Sequence, residues 1–258
     1  MKILVTNDDG INSEGLVALK KALSKVGDVV VIAPDHNWSA SGHTKTMHKP
    51  LRVNKVSMPD NGYGFACDGT PSDCVALSML GFVGERPSLV VSGINKGANL
   101  GGDITYSGTV AAAMESVVND VPGIAVSLAA YKDWNFEYAA EFSAMLARLV
   151  LEKKVGPDVL LNVNVPAIDK KEIRGVQVTR LGRRIYRDRL IERQDPFGRS
   201  YYWIGGDEPT GFAEEGTDIW ALANNYVSVT PIHMDLTNHA LIERLKEWFA
   251  LASWPLTW

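Results

Sequence analysis

Asp8 and Asp9 stand side by side just after the first apolar run of the chain, Ile3-Leu4-Val5, in the segment Met1-Lys-Ile-Leu-Val-Thr-Asn-Asp-Asp-Gly10. Two neighbouring carboxylates repel each other and are costly to desolvate unless a cation sits between them, so the pair points to a hard metal ion. Successive side chains of an extended strand face opposite ways, and both acids can reach one ion only if the backbone turns at Asp9. Gly10 permits that turn, because glycine takes positive φ without steric cost. On composition alone, Asn7-Asp8-Asp9-Gly10 reads equally well as a polar turn with a helix cap.

Three further segments offer matching chemistry. The first, Pro34-Asp35-His-Asn-Trp-Ser39-Ala-Ser-Gly42, is rich in hydroxyls; Ser39 can give a neutral oxygen to a hard cation or simply satisfy local backbone groups. In the second, Ser92-Gly-Ile-Asn95-Lys-Gly-Ala-Asn99-Leu-Gly-Gly-Asp103, glycines let backbone N–H groups approach a ligand, and Asn95 offers an amide oxygen. This loop matches neither G-x-x-x-x-G-K-[ST] nor G-x-G-x-x-G, which argues against ATP-driven phosphotransfer and dinucleotide binding. The third, Tyr106-Ser107-Gly108-Thr109, opens an Ala-rich helix. A helix start with free N–H groups, a hydroxyl cap and a first-turn glycine can cradle a phosphate, with ordinary capping by Ser107 as the plain alternative. Trp38 and Tyr106 lie near these loops and can either stack on a base or pack.

Oxygen donors beside an anion cradle suit metal-assisted hydrolysis of a phosphate ester. An aspartyl-phosphate mechanism usually employs D-x-D spacing, whereas these acids are adjacent. A zinc hydrolase is disfavoured because His36, His43, His48, His233 and His239 form no H-E-x-x-H array, and His43 and His48 read as loop residues without ligand duty. A binding reading remains open, in which the same fold is a nucleotide-binding regulatory module and the acids merely cap or hold a structural ion.

The elements that must position these groups alternate in type. Apolar strand patterns at Ile3-Leu4-Val5, Val29 to Ala33, Leu89 to Ser92, Ile124 to Leu128 and Val159 to Val163 are separated by helical spacing at Leu16, Leu19, Leu23 and Val26, by Val110 to Val118, and by the run from Phe136 to Leu151. Tyr63 to Cys67 is a weaker strand, and Thr70-Pro71-Ser72-Asp73 reads as N-cap, first-turn proline and first-turn acid of a helix through Met79. Such alternation predicts an α/β, three-layer Rossmann-like fold with a mostly parallel central sheet and the acids at a strand end, where ligands bind in such sheets. After Pro166 the pattern changes. Gly175 to Arg180 and Arg199 to Ile204 look like antiparallel strands of a projecting β-hairpin arm, separated by a charged stretch from Arg183 to Asp195 and the turn Asp195-Pro-Phe-Gly198. Tyr226 to Thr230 is expected to rejoin the sheet, and Asn238 to Ala250 to form a C-terminal amphipathic helix. One domain over 1–258 is expected, with a core at 1–166, an arm at 167–215 that packs on a partner subunit, and a C-terminal strand and helix at 216–258.

With 258 residues, 46% of them hydrophobic, the chain is long enough for one large α/β domain, and a net charge of -4 offers no basic footprint for nucleic-acid polymers. Cys67 and Cys74 lack C-x-x-C spacing and read as buried apolar residues in a reducing compartment. No run approaches the roughly 20 apolar residues of a membrane span, and the N-terminus enters a strand at once, so a cytoplasmic protein without membrane association is expected.

Asn7-Asp8-Asp9-Gly10, Ala33-Pro34-Asp35 leading to Ser39, Gly69-Thr-Pro-Ser-Asp-Cys-Val75, Ser92-Gly-Ile-Asn95-Lys-Gly-Ala-Asn99-Leu-Gly and Tyr106-Ser-Gly-Thr-Val-Ala-Ala-Ala113, in this order, resemble the survival protein E (SurE) nucleotidases. The later Tyr201-Tyr-Trp203, Gly216-Thr-Asp218 and Ser228-Val-Thr-Pro231 extend the likeness over nearly the whole chain. The resemblance implies a divalent-metal-dependent phosphomonoesterase acting on nucleoside 5′- and 3′-monophosphates, with polyphosphate as a further substrate. It implies one Mg²⁺ or Mn²⁺ per subunit held by Asp8, Asp9, Ser39 and Asn95, with Asp8 and Asp9 also catalytic. Asn99, Ser107, Gly108 and Thr109 would meet the phosphate. It further implies a homodimer or homotetramer built by the hairpin and an exchanged C-terminal segment. Ala40-Ser41-Gly42-His43 departs from the family's glycine/serine pattern, which leaves contacts there unassigned.

Overall fold

Along the first two thirds of the chain the apolar runs become strands and the helically spaced runs become helices, in a computed structural model that describes residues 1–251 apart from Tyr131 and Glu208. The order is β1 (Lys2–Thr6), α1 (Glu14–Leu23), β2 (Asp28–Pro34), β3 (Val53–Ser57), β4 (Tyr63–Cys67), α2 (Pro71–Met79), β5 (Leu89–Lys96), α3 (Gly108–Val118), β6 (Gly123–Ala129), α4 (Glu137–Glu152) and β7 (Leu160–Pro166). Then follow β8 (Gly175–Val178), β9 (Arg184–Ile185), β10 (Asp188–Gln194), β11 (Ser200–Gly206), β12 (Thr210–Gly211), α5 (Asp218–Ala223), β13 (Tyr226–Ile232) and α6 (His239–Leu251).

Nine strands form one sheet in the order β3-β4-β2-β1-β5-β6-β7-β13-β8. It is parallel except where β3 meets β4 and where β13 meets β7. Strand β1 pairs with β2 on one side and with β5 on the other, Thr6 standing opposite Ser92. The chain therefore winds outward in both directions from the β1–β5 boundary, and the crevice beyond the carboxyl ends of these strands is where ligands bind in such sheets.

The alternation within β1 divides the core. Ile3 and Val5 face the layer of α1 and α4, packing with Leu16, Leu19, Leu23, Val91 and Phe142, whereas Leu4 faces α2 and α3 with Ile32, Cys74, Val75 and Ala112. Helix α2 begins as its residue types require. Thr70 Oγ1 accepts the Asp73 N–H at 3.1 Å, Asp73 Oδ2 accepts the Thr70 N–H at 2.9 Å, and Pro71 fills the first turn. Cys67 and Cys74 are buried free thiols, as expected. Among the described residues no helix is long and apolar enough to cross a membrane.

The last third departs from expectation. Gly175–Val178 is no arm strand: it joins the main sheet parallel to β13, and the arm is the hairpin β10–β11, whose first strand is the charged stretch itself. A strand with no buried face needs no apolar alternation, so Asp188–Gln194 carries none of the pattern that marks a strand in a sequence. The proposed boundaries at 166 and 215 are crossed by the sheet, since β8 and β13 both belong to it. β3, which the sequence reading does not anticipate, is an edge strand with mostly exposed residues. Residues 252–258 of the expected C-terminal element lie outside the described residues.

Candidate functional site

β1 ends at Thr6, and the turn that follows is organised by Asn7. This buried amide donates through Nδ2 to the Gly10 carbonyl (3.1 Å) and to Ser13 Oγ (2.7 Å), while its Oδ1 accepts the Gly10 N–H (3.2 Å). Gly10 has φ +98°, and a Cβ there would stand 3.3 Å from the His36 carbonyl carbon and oxygen. Gly10→Val is therefore expected to cost about 1–3 kcal/mol of stability through backbone strain. It should also weaken divalent-ion affinity, although both acids remain. Denaturant unfolding and calorimetric titration of one sample check both parts, and unchanged ion binding would refute the second.

The turn leaves the two acids in different holds. Asp8 is buried, and Thr109 donates its hydroxyl to Asp8 Oδ1 at 2.5 Å. Asp9 is half-buried and accepts the Lys96 N–H through Oδ2 at 3.3 Å. Each carboxylate is thus held by an element on the β5 side of the switch point. Burial pushes the Asp8 carboxyl up to about 6, the Thr109 hydrogen bond opposing and the Asp9 charge adding to the rise. Asp9 is raised as well, chiefly by burial, against the pull of the Lys96 N–H and ammonium.

A cleft of about 400 Å³ is lined by Asp8, Ser39, Asn95, Asn99 and Ser107, so five of the eight residues singled out in the sequence converge here. Ser39 is carried by the loop after β2, which the Trp38 N–H ties to the Asp8 carbonyl at 2.8 Å, and its hydroxyl and N–H each lie 2.6 Å from Asn37 Oδ1. Asn95 uses its amide nitrogen on the Gly97 carbonyl (2.9 Å), leaving Oδ1 as the donor atom available to a cation. Asn99 is locked more firmly: its Nδ2 donates to Ser127 Oγ, its N–H to Asn164 Oδ1, and its carbonyl accepts from Asn162 and Asn164, all at 2.8–2.9 Å. Ser107 caps α3 by accepting the Val110 N–H at 3.1 Å. Capping and site placement therefore coexist.

Two of the remaining residues have structural duties. Thr109 is fully buried, and its hydroxyl is engaged with Asp8, so this side chain helps position the acid. Gly108 is the point of closest approach. A Cβ there would stand 2.8 Å from Asp8 Cβ and 2.9 Å from Ser41 Oγ. Ser41 itself escaped the sequence reading; its buried hydroxyl has no hydrogen-bond partner among the described residues. His43, expected to have no ligand duty, lies 2.9 Å through Nε2 from Oε2 of buried Glu115, whose other oxygen takes the Lys45 ammonium at 2.7 Å. Burial alone would raise Glu115, but the hydrogen bonds from His43 and Lys45 more than offset it and hold the carboxyl below its usual value. An acid within the apolar run of α3 was the signal for this anchor, which fastens the segment after the Ser39–Ser41 loop to α3.

The donor set fits a hard divalent cation. It consists of carboxylate, amide and hydroxyl oxygens, with an orphaned Ser41 hydroxyl alongside and a carboxyl that burial holds partly protonated until positive charge arrives. Among the described residues no cluster of three or more His, Cys, Asp or Glu is placed to hold a metal, so neutral oxygens must complete any coordination. One consequence concerns the protein without divalent ions. Asp8 titrates near 6 when folded against 3.8 unfolded, so the folded state holds its proton more tightly; its contribution favours folding below about pH 4 and is lost as pH rises through 6. In chelator, wild type is expected to lose about 2 kcal/mol relative to Asp8→Asn between pH 4 and pH 7. Urea unfolding of both proteins across that range checks the sign, which would be reversed if Asp8 were stabilised as the anion.

Fold and site together define an α/β protein that presents an acidic, oxygen-donor cleft at its topological switch point, next to a helix start. The chain belongs to the SurE family: residues 3–188 match the family model described as survival protein SurE. It is 53% identical to the 5′-nucleotidase SurE of Chloroflexus aggregans, over 96% of this chain and 99% of the relative, and 49% identical to that of Geobacter sulfurreducens, over 99% and 96%. The crystal structure of the SurE protein from Aquifex aeolicus superposes with a TM-score of 0.84 at 44% identity, covering 96% of this chain and all of that one.

Proposed function

We propose that this protein is a divalent-metal-dependent phosphomonoesterase that hydrolyses nucleoside 5′-monophosphates, with 3′-monophosphates and short-chain polyphosphate as further substrates. It would work in the cytoplasm as a homodimer or homotetramer with one Mg²⁺ or Mn²⁺ per subunit. The observation that carries the reading is the convergence of Asp8, Ser39, Asn95 and the Ser107 helix start on one cleft, with Asp9 next to Asp8 in the turn after β1 and tied to the Lys96 N–H. The relatives' name, 5′-nucleotidase SurE, supplies the substrate class.

When bound by Asp8, Asp9, Ser39 and Asn95, a divalent ion supplies polarisation of the phosphoryl group and a lowered pKa for the attacking water. The chain does the rest. Thr109 and the Lys96 N–H hold the two acids in place before substrate arrives, so little reorganisation is left for the reaction. The start of α3, with Ser107 as cap and Gly108 in the first turn, directs N–H groups and the positive end of the helix dipole toward developing phosphoryl charge. Asp8 or Asp9 takes the proton of the attacking water. Leu190, Trp203 and Ile204 expose apolar surface on the arm, which supports subunit contact there, together with an exchanged C-terminal segment.

A panel of nucleoside 5′- and 3′-monophosphates and tripolyphosphate, run with Mg²⁺, Mn²⁺ and chelator, tests the proposal. Metal-dependent phosphate release is expected, fastest on the 5′-monophosphates. Nucleotide binding without release on any substrate would favour a regulatory binding module instead.

A further inference from the structure

Besides the polar Asp8, Ser39, Asn95 and Ser107, the cleft is lined by two tyrosines, Tyr106 from the residue before the α3 cap and Tyr186 from the segment leading into the arm. They are 65% and 47% exposed, and among the described residues neither ring stacks on another aromatic and neither hydroxyl has a hydrogen-bond partner. Aromatic surface left open beside a polar cleft is apt for a flat ligand group.

Tyr186 does not reach the cleft by accident of a loose loop. Asp218, fully buried, accepts the Gly101 N–H at 2.8 Å and the Gly182 N–H at 2.7 Å, joining the turn below Tyr106 to the segment below Tyr186. Gly101 has φ +53°, and a Cβ there would stand 2.4 Å from the Gly182 carbonyl oxygen, so only glycine allows this approach. Arg184 Nε then pairs with Asp103 Oδ2 at 2.8 Å, both side chains largely buried. Three independent ties, a buried carboxylate, a glycine-only contact and an ion pair, fix the strand β9 against the cleft wall two residues before Tyr186.

We infer that Tyr186 is a specificity-determining residue, forming with Tyr106 the nucleoside end of the site and stacking on the base of a nucleoside monophosphate whose phosphate lies at the acidic end. The inference rests on the nucleotidase reading and deepens it: the arm segment contributes the group that separates nucleotides from other phosphate monoesters. Base–aromatic stacking tolerates any base, so Tyr186 selects for a base without selecting which one.

The test compares kcat/KM for adenosine 5′-monophosphate and for ribose 5-phosphate, with calorimetric affinity for adenosine, a product the reaction leaves intact. Tyr186→Ala should lower the ratio of the two kcat/KM values about tenfold and weaken adenosine binding about tenfold. Tyr186→Phe, which keeps the ring, should hold both within about twofold of wild type. An unchanged ratio and adenosine affinity in Tyr186→Ala would overturn the inference, as would an equal fall on both substrates that Phe does not rescue. Failure of wild type to release phosphate from either compound would instead sink the nucleotidase reading, and adenosine affinity alone would then decide the role of Tyr186.

Discussion

Asp9→Asn is expected to lower kcat/KM for adenosine 5′-monophosphate by about a thousandfold or more, a loss of about 4 kcal/mol in transition-state stabilisation. Asparagine keeps the size of the side chain and can still accept the Lys96 N–H, so the β1–β5 boundary retains its geometry. What disappears is the charge of one of the two adjacent carboxylates that follow β1. Because burial already disfavours the Asp9 anion and the Asp8 charge lies beside it, the variant should be no less stable than wild type in chelator. Loss of turnover with undiminished stability separates a site role from a structural one. Metal-dependent turnover that survives the change would count heavily against placing Asp9 in the site.

Gly108→Ala is the second large effect. At the first position of α3 alanine favours the helix over glycine by up to about 1 kcal/mol, so propensity alone predicts a more stable protein. The added methyl, however, would stand 2.8 Å from Asp8 Cβ, 2.9 Å from Ser41 Oγ and 3.0 Å from Asp8 Oδ2. Asp8 is held from its other side by Thr109 and must shift, and a displacement on the order of 1 Å at a reacting group costs about a hundredfold in rate. Steady-state kinetics paired with thermal unfolding should therefore show kcat falling about a hundredfold without a matching loss of Tm. Wild-type kinetics would mean that Asp8 is free to relax and that the Gly108 contact does not set its position.

Much of this organisation is legible in the residues. The capping box of α2, the apolar strands β1, β2, β5, β6 and β7, and the placement of the acids at the end of the first strand all follow from local rules of burial and hydrogen bonding. Asp8, Ser39, Asn95 and Ser107 come from four separate segments, yet each lies at or beyond the carboxyl end of a strand or opens a helix, and that shared position is why they meet. What stayed hidden depends on long-range partners. Thr109 reads as part of a phosphate-binding helix start, and only the fold, which sets it against an acid 101 residues away, makes it a brace. His43 and Glu115 are 72 residues apart, and no local pattern links them. The strand β10 escaped because its side chains are nearly all solvated, so the periodicity that betrays a half-buried strand is missing.

The most direct measurement titrates Mn²⁺ into metal-stripped protein while phosphate release from adenosine 5′-monophosphate is followed. Turnover absent in chelator, returning to a plateau at one equivalent per chain and failing to return in Asp9→Asn, is the result expected of the Asp8–Asp9 cleft. Undiminished turnover in excess chelator, or full recovery in Asp9→Asn at the same equivalence, would contradict the account.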